Sequence, residues 1–127
     1  PTLISEPENR KSRRVISTQT SMDMRKLLRD VVIYGSAKNA NIDGYEVAGK
    51  TGTAEIDYYH PNNALFVGYA PVSEPKYAIS VRIANGYASG NACLAANDIF
   101  KYIFGLADES TILTGYAASD TSNVSND

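Results

Sequence analysis

The 127-residue chain contains one cysteine, one histidine and no tryptophan. A single thiol, Cys93, permits neither a disulfide framework nor a zinc-binding cysteine set. The lone histidine, His60, has no partner cluster of cysteine, histidine or carboxylate at metal-ligand spacing, so no metal and no cofactor are expected. No apolar run exceeds five residues, far short of the roughly 18–20 that span a bilayer. No basic segment followed by an apolar one opens the chain, so no targeting signal is visible. Strong charge of one sign is also missing: the net charge is −2. The basic cluster Arg10, Lys11, Arg13 and Arg14 lacks interleaved aromatics, which argues for a solvated segment and against a nucleic-acid partner.

What remains is ordinary globular composition, 43% apolar and 20% charged, with enough length for one core. Residues 1 to 16 read as an extended connector, with Pro1, Pro7 and a Glu6-Pro7-Glu8-Asn9 turn. From Ser17 onward Met24, Leu27, Leu28, Val31 and Val32 recur at helical spacing. Thr20 and Asp23 suggest a capping box and Gly35 a stop, with Arg25, Lys26 and Arg29 on the wet face. Three runs rich in β-branched and aromatic residues follow: 45 to 56, 64 to 70 and 77 to 84. Pro71 and Pro75 make a hairpin turn between the last two, whose nearly continuous apolar character predicts burial on both faces. Ala92, Ala95, Ala96, Ile99, Phe100 and Ile103 form a second helical stripe ending at Gly105. Residues 106 to 127, rich in Ser, Thr, Asp and Asn, are expected to form a disordered tail. The order helix, three antiparallel strands, helix predicts an α+β fold of the α/β sandwich type, with an antiparallel sheet flanked by helices.

Gly44 to Thr51 spells the G-x-x-x-x-G-K-[ST] of a phosphate-binding loop. That motif needs a strand before its first glycine and a helix starting at the Lys-Thr. Here a polar turn precedes it, and Gly52, Thr53, Tyr58, Tyr59 and Pro61 follow, which is poor helix material. Lys50-Thr51-Gly52 on a strand is instead the K-T-G that accompanies a serine nucleophile in penicillin-binding proteins and β-lactamases.

The likeness extends well beyond three residues. Val47 to Glu55 (VAGKTGTAE) resembles the third strand of the penicillin-binding protein transpeptidase domain, Ala64 to Pro71 (ALFVGYAP) the next strand, and Tyr77 to Val81 (YAISV) the one after. Arg14-Val15-Ile16-Ser17 and the helix ending in Val31-Val32 resemble the helix before that strand, and the Ala-rich helix resembles the domain's end. Order and spacing agree over residues 1 to 105, and Ala54-Glu55 looks most like class B, the monofunctional transpeptidases of elongation or division.

The resemblance implies a chemistry. A stem peptide ending in D-Ala-D-Ala, or a β-lactam, would lie antiparallel to the exposed edge of this strand. The Lys50 ammonium would help proton movement and attract the substrate carboxylate, and the Thr51 and Thr53 hydroxyls would hydrogen-bond that carboxylate or the substrate backbone. Gly52 would let another backbone approach, and the Thr53 N–H would be an oxyanion donor. The competing reading makes Lys50 a solvated edge-strand lysine.

The family's nucleophile sits in an S-x-x-K on a helix, followed by S-x-N, both ahead of K-T-G; neither precedes Lys50 here. Ser73-Glu74-Pro75-Lys76 spells S-x-x-K but carries a proline and lies downstream. Ser89-Gly90-Asn91 spells S-x-N after the third strand. Ser73 and Ser89 are therefore read as turn and helix-start residues, and His60 as a loop residue near the cleft mouth. Glu55 and Asp57 read as a solvated same-face pair.

The chain is thus expected to be the C-terminal portion of a larger catalytic domain, with Pro1 marking a cut, and to be inactive alone. Its expected partners are peptidoglycan stem peptides and β-lactams, bound together with the remainder of the parent chain. A homodimer through the exposed sheet edge is a further possibility. The resemblance places the parent on the extracytoplasmic face of a bacterial membrane, anchored by a segment outside this sequence. A β-lactam sensor or serine β-lactamase, and a non-catalytic assembly module, stand as alternatives.

Overall fold

A serine sets where the first helix begins. In the computed structural model, which describes residues 13–110, Ser17 Oγ accepts from the Thr20 amide at 3.0 Å and caps α1, Thr18–Ile33. The expected Thr20–Asp23 box does not form, because Ser17 is the N-cap and Thr20 already lies in the first turn; Asp23 accepts from Gln19 Nε2 at 2.8 Å. Gly35 ends the helix without a left-handed backbone. A Cβ there would lie 2.8 Å from the Val31 carbonyl oxygen, which accepts from the Gly35 and Ala37 amides. Only Val32 of the predicted stripe is fully buried, while Met24 and Leu27 remain 45% and 59% exposed. The first two turns of the stripe have little to pack on among the described residues.

A short 3₁₀ turn, Lys38–Ala40, leads to the sheet. The strands are β1 (Ala48–Ala54), β2 (Asn63–Ala70) and β3 (Tyr77–Ile83), antiparallel in the order β1-β2-β3. The first strand is shorter than its sequence run. Gly44 adopts a φ of +81°, and Tyr45 bridges back to Ile42 rather than joining the ladder. The register Gly49↔Gly68, Thr51↔Phe66, Thr53↔Ala64 continues to β3 through Phe66↔Val81 and Ala64↔Ile83. Directly opposed residues share a face. One face therefore carries Gly49, Thr51, Phe66, Gly68, Ile79, Val81 and Ile83; Lys50, Gly52, Leu65, Val67 and Tyr69 lie on the other.

Helix α2, Ser89–Ile103, covers the first of these faces. Ala92, Cys93 and Ala96 are small enough to bring its backbone close to the sheet, and with Phe100 they are buried with Val47, Ala64 and Phe66. The Phe66 ring occupies the space where side chains on Gly49 and Gly68 would stand: a Cβ on either glycine would come within 2.6 Å of it. Stacked rings of Phe100, Phe104 and Tyr45, with Phe104 4.4 Å from Tyr45, close one end of the core. The helix stops in a Schellman turn, with Leu106 N donating to Lys101 O, Gly105 N donating to Tyr102 O, and Gly105 at a φ of +70°.

The hairpin strands are not buried on both faces as predicted. In β3 Ile79, Val81 and Ile83 face the core and Tyr77, on the same face, stays 44% exposed with its ring edge-on to Phe104, while Ala78, Ser80 and Arg82 on the other face are exposed, and Val67 of β2 is 59% exposed. As an outer strand covered by α2 on one side, β3 has nothing among the described residues to cover its other side. The predicted tail falls largely at 111–127, outside the described residues.

Two arginines assigned to the wet face of α1 are instead tethers. Arg29 Nη1 donates to Val47 O at 2.7 Å and to Asn41 Oδ1 at 3.1 Å. Arg25 Nη1 reaches Val72 O at 3.4 Å. Asn97, buried on α2, donates to Asn41 O at 2.7 Å. Asn41 thus joins both helices at the entrance to β1.

Candidate functional site

Lys50, Thr51, Gly52 and Thr53 all lie on β1, and β1 is an outer strand of the sheet. Its side away from β2 has no strand partner among the described residues; Ala48 and Gly49 at its head are buried, whereas Lys50 and Thr53 are exposed and Thr51 and Gly52 half-buried, so the 50–53 stretch is the part an added strand could reach. Chemistry-bearing residues are exposed here because the sequence pairs them with an apolar neighbour: the Ala64–Ala70 half of the ladder supplies the burial, and β1 supplies few apolar atoms beyond Val47 and Ala48.

The strand's alternation separates the motif into two sets. Lys50 and Gly52 stand opposite Val67 and Leu65, and Thr51 and Thr53 opposite Phe66 and Ala64. The exposed Lys50 side chain folds over the strand, and its Nζ donates to Thr51 O at 2.9 Å and to Thr51 Oγ1 at 3.3 Å. Thr51 Oγ1 lies 2.6 Å from Ser36 Oγ. An ammonium, two hydroxyls and a carbonyl are therefore gathered at one point of the edge. Gly52 is less open than its sequence role suggests, since a methyl there would meet Leu65 Cβ and Cδ1 at 3.3 Å. Cys93, on the sheet-facing side of α2, is buried, and burial pushes its thiol pKa up while the Lys50 charge draws it partly back.

Lys50 does not stand at a helix N-terminus but mid-strand, and Gly44 belongs to a separate turn, so Gly44 to Thr51 forms no phosphate-binding loop. Ser73 and Lys76 lie in the non-helical connection between β2 and β3, whose Ala70–Pro71 peptide is cis. The Ser73 amide donates to Glu46 Oε2 at 3.0 Å. Hydrogen bonds from the Ser73 hydroxyl and then its amide hold the Glu46 carboxyl below its ordinary pKa, with the Arg29 charge adding to them. Ser89 opens α2, where Ala88 is the N-cap, and Asn91 Nδ2 donates to Gly86 O at 2.9 Å. Ser73 thus lies in the inter-strand connection and Ser89 is the first residue of α2, without capping it.

His60 and Asp57 correct one expectation. Asp57 does not pair with Glu55 on a strand, because β1 ends at Ala54. Its Oδ1 instead accepts from the Tyr59 and His60 amides at 2.8 and 3.0 Å and lies 2.7 Å from His60 Nδ1. The side-chain bond to His60 comes first among the causes that lower the Asp57 pKa. This loop displays Tyr58 and Tyr59, 94% and 88% exposed, just beyond the K-T-G strand.

Sequence reasoning missed Ser36. It is fifteen residues from its partner in the chain, after a helix stop, and no spacing rule joins such a position to a strand. A groove of about 410 Å³ lined by Met24, Arg25, Leu28, Tyr69 and Ala78 involves none of the motif residues.

Residues 1–105 match the penicillin binding protein transpeptidase domain. Stage V sporulation protein D of Bacillus subtilis is 40% identical over 78 residues, which cover 58% of this chain and 12% of that protein. The probable peptidoglycan D,D-transpeptidase PenA of Neisseria flavescens is 33% identical over 105 residues, covering 73% of this chain and 25% of that protein. Among solved structures, the D,D-transpeptidase domain of a peptidoglycan glycosyltransferase from Eggerthella lenta superposes with a TM-score of 0.62 at 34% identity, over 72% of this chain and 22% of that one. Penicillin-binding protein A from M. tuberculosis, as its imipenem acyl-enzyme complex, gives a TM-score of 0.63 at 29% identity, over 73% and 21% of the two chains. The chain spans 12 to 25% of the length of these four proteins.

Proposed function

We infer, from the premise that this chain belongs to the penicillin-binding protein transpeptidase family, that it supplies the substrate-aligning edge strand of a peptidoglycan D,D-transpeptidase. The observation that carries this reading is the placement of Lys50-Thr51-Gly52 on the open edge of an outer strand, with the ammonium gathered against a hydroxyl pair.

In the complete enzyme a serine Oγ attacks the carbonyl of the penultimate D-Ala. The ester bond forms, the C–N bond to the terminal D-Ala breaks, and that amine leaves with a proton. An acceptor amine then takes the acyl group and the serine recovers its proton, leaving a cross-link. The β1 edge would hold the donor peptide as an added strand. Lys50 would supply a positive field that eases proton transfer and draws in the terminal carboxylate. Thr51 and Thr53 would hydrogen-bond that carboxylate or the substrate backbone, and Gly52 would admit the backbone closely. The Thr53 N–H would face the developing oxyanion, a role worth about 2.7–4 kcal/mol per donor where it has been removed elsewhere. β-Lactams would enter by the same route, as acyl-enzyme complexes of the M. tuberculosis relative illustrate. Such an enzyme works on the extracytoplasmic face of the bacterial membrane.

No S-x-x-K or S-x-N precedes Lys50 in this sequence, so the 127-residue chain alone forms no acyl-serine. Fluorescent penicillin should leave it unlabelled and should label the full-length protein in which the segment sits, with Lys50→Ala lowering that labelling rate at least a hundredfold if Lys50 stabilises charge in the transition state as one oxyanion donor does, roughly 10²–10³. A stoichiometric adduct on Ser73 or Ser89 of the short chain, or full-rate labelling of Lys50→Ala, would refute this. An adduct that hydrolyses rapidly would identify a β-lactamase instead.

A further inference from the structure

We propose that Ser36 is a positioning residue for Thr51: it exchanges hydrogen-bond direction with the Thr51 hydroxyl so that Thr51 can turn its proton toward a bound carboxylate. The proposal rests on the transpeptidase reading of the K-T-G edge and adds a residue to it.

Ser36 is an exposed residue, yet its neighbours are fixed on both sides. Gly35 and Ala37 both donate to Val31 O, at 3.1 and 3.2 Å. Ala37 is completely buried, and Gly35 lies so close to Val31 that a Cβ would stand 2.8 Å from its carbonyl oxygen. The Ser36 hydroxyl is therefore carried on a stiff turn, and it ends 2.6 Å from Thr51 Oγ1.

Proton accounting then limits what Thr51 can do. A threonine hydroxyl has one proton and two acceptor sites, and an ammonium can only donate. Lys50 Nζ occupies one acceptor site at 3.3 Å. If Thr51 donates to Ser36, its proton is committed and a carboxylate meets only lone pairs. If Ser36 donates to Thr51, both acceptor sites are filled and the Thr51 proton is released toward an anion. At 2.6 Å either hydroxyl can be the donor, so the two arrangements interconvert by rotating hydroxyls without moving the strand. An alanine at position 36 removes this second donor, and the Thr51 oxygen loses a partner when its proton turns away.

The effect should follow the ligand's negative charge. In the full-length protein, Ser36→Ala should lower the second-order rate of acylation by benzylpenicillin about tenfold, the scale of one hydrogen bond made to a charged group. Ser36→Thr, which keeps the hydroxyl, should restore the rate. The methyl ester of the same penicillin, without the carboxylate, should react equally with Ser36 and Ser36→Ala enzymes. An Ala variant that matches wild type on benzylpenicillin, or loses as much on the ester, overturns the role of Ser36 while leaving the edge-strand reading intact. A wild-type protein that forms no adduct overturns both.

Discussion

Replacing Gly49 by alanine tests how the K-T-G strand is packed from beneath. The new methyl would lie 2.5 Å from Phe66 Cζ, 2.8 Å from Phe66 Cε2 and 2.6 Å from Val67 O. Neither obstacle yields easily. Phe66 is fully buried under α2, and the Val67 carbonyl belongs to the paired strand. Overpacking a tight core costs about 1–3 kcal/mol, and this site belongs near the top of that range because one of the atoms met is backbone. Against it stands about 0.4–1 kcal/mol from the smaller conformational freedom of alanine in the unfolded chain. The balance is a loss of about 2 kcal/mol, or roughly 8–16 °C in Tm at about 4–8 °C per kcal/mol for a domain of this size. Urea unfolding followed by circular dichroism would read it as a lower midpoint at unchanged slope. The mechanism also predicts coupling: with Phe66→Leu already in place, Gly49→Ala should cost at least about 0.5 kcal/mol less than it does alone. A neutral or stabilising Gly49→Ala, or strict additivity with Phe66→Leu, would show that the ring does not occupy the glycine's space.

Gly52→Ala is the contrasting case: its methyl meets Leu65 at 3.3 Å on the half-exposed face, so Tm should change far less than for Gly49→Ala while penicillin labelling of the full-length protein falls. Asn97→Ala would leave Asn41 O without its buried donor and should cost about 1–3 kcal/mol in urea unfolding. Glu46 has a folded pKa below its unfolded value, so the stability it adds is present above the unfolded pKa and lost as pH falls through the folded one. Asp57 follows the same sign through His60. Stability should therefore decline on acidification below about pH 4.5, the ordinary carboxylate value of Glu46, and Glu46→Gln should flatten that decline.

How far the sequence could be read depended on whether the deciding interaction was local. The K-T-G strand and the stop at Gly105 follow from nearby residues and appeared where expected. The two-faced burial expected of β3 failed because continuous apolar character does not reveal whether a second layer is present; Ser80 and Arg82, already polar, were the available hint. Arg29 looked like a wet-face residue because helical periodicity reports direction, not length, and a guanidinium can reach over the rim to Val47 O. The Phe66 ring over two glycines depends on the register Gly49↔Gly68, which no single strand encodes. Ser36 was invisible for the same reason, its partner being chosen by how α1 meets the sheet.

The junction at Asn41 bears on what it costs to bind a flexible guest. Arg29 from α1 and Asn97 from α2 both end on this residue, and Arg29 also holds Val47 at the mouth of β1. A peptide that docks as an added strand gives up much of its own freedom, and any wandering of the receiving edge would add to that entropic debt. In the proposed enzyme the head of β1, triangulated from two helices, would offer a ruler already straightened before the guest arrives. Loosening Arg29 or Asn97 would then show itself as weaker capture of pliable peptides, with rigid bicyclic β-lactams far less affected.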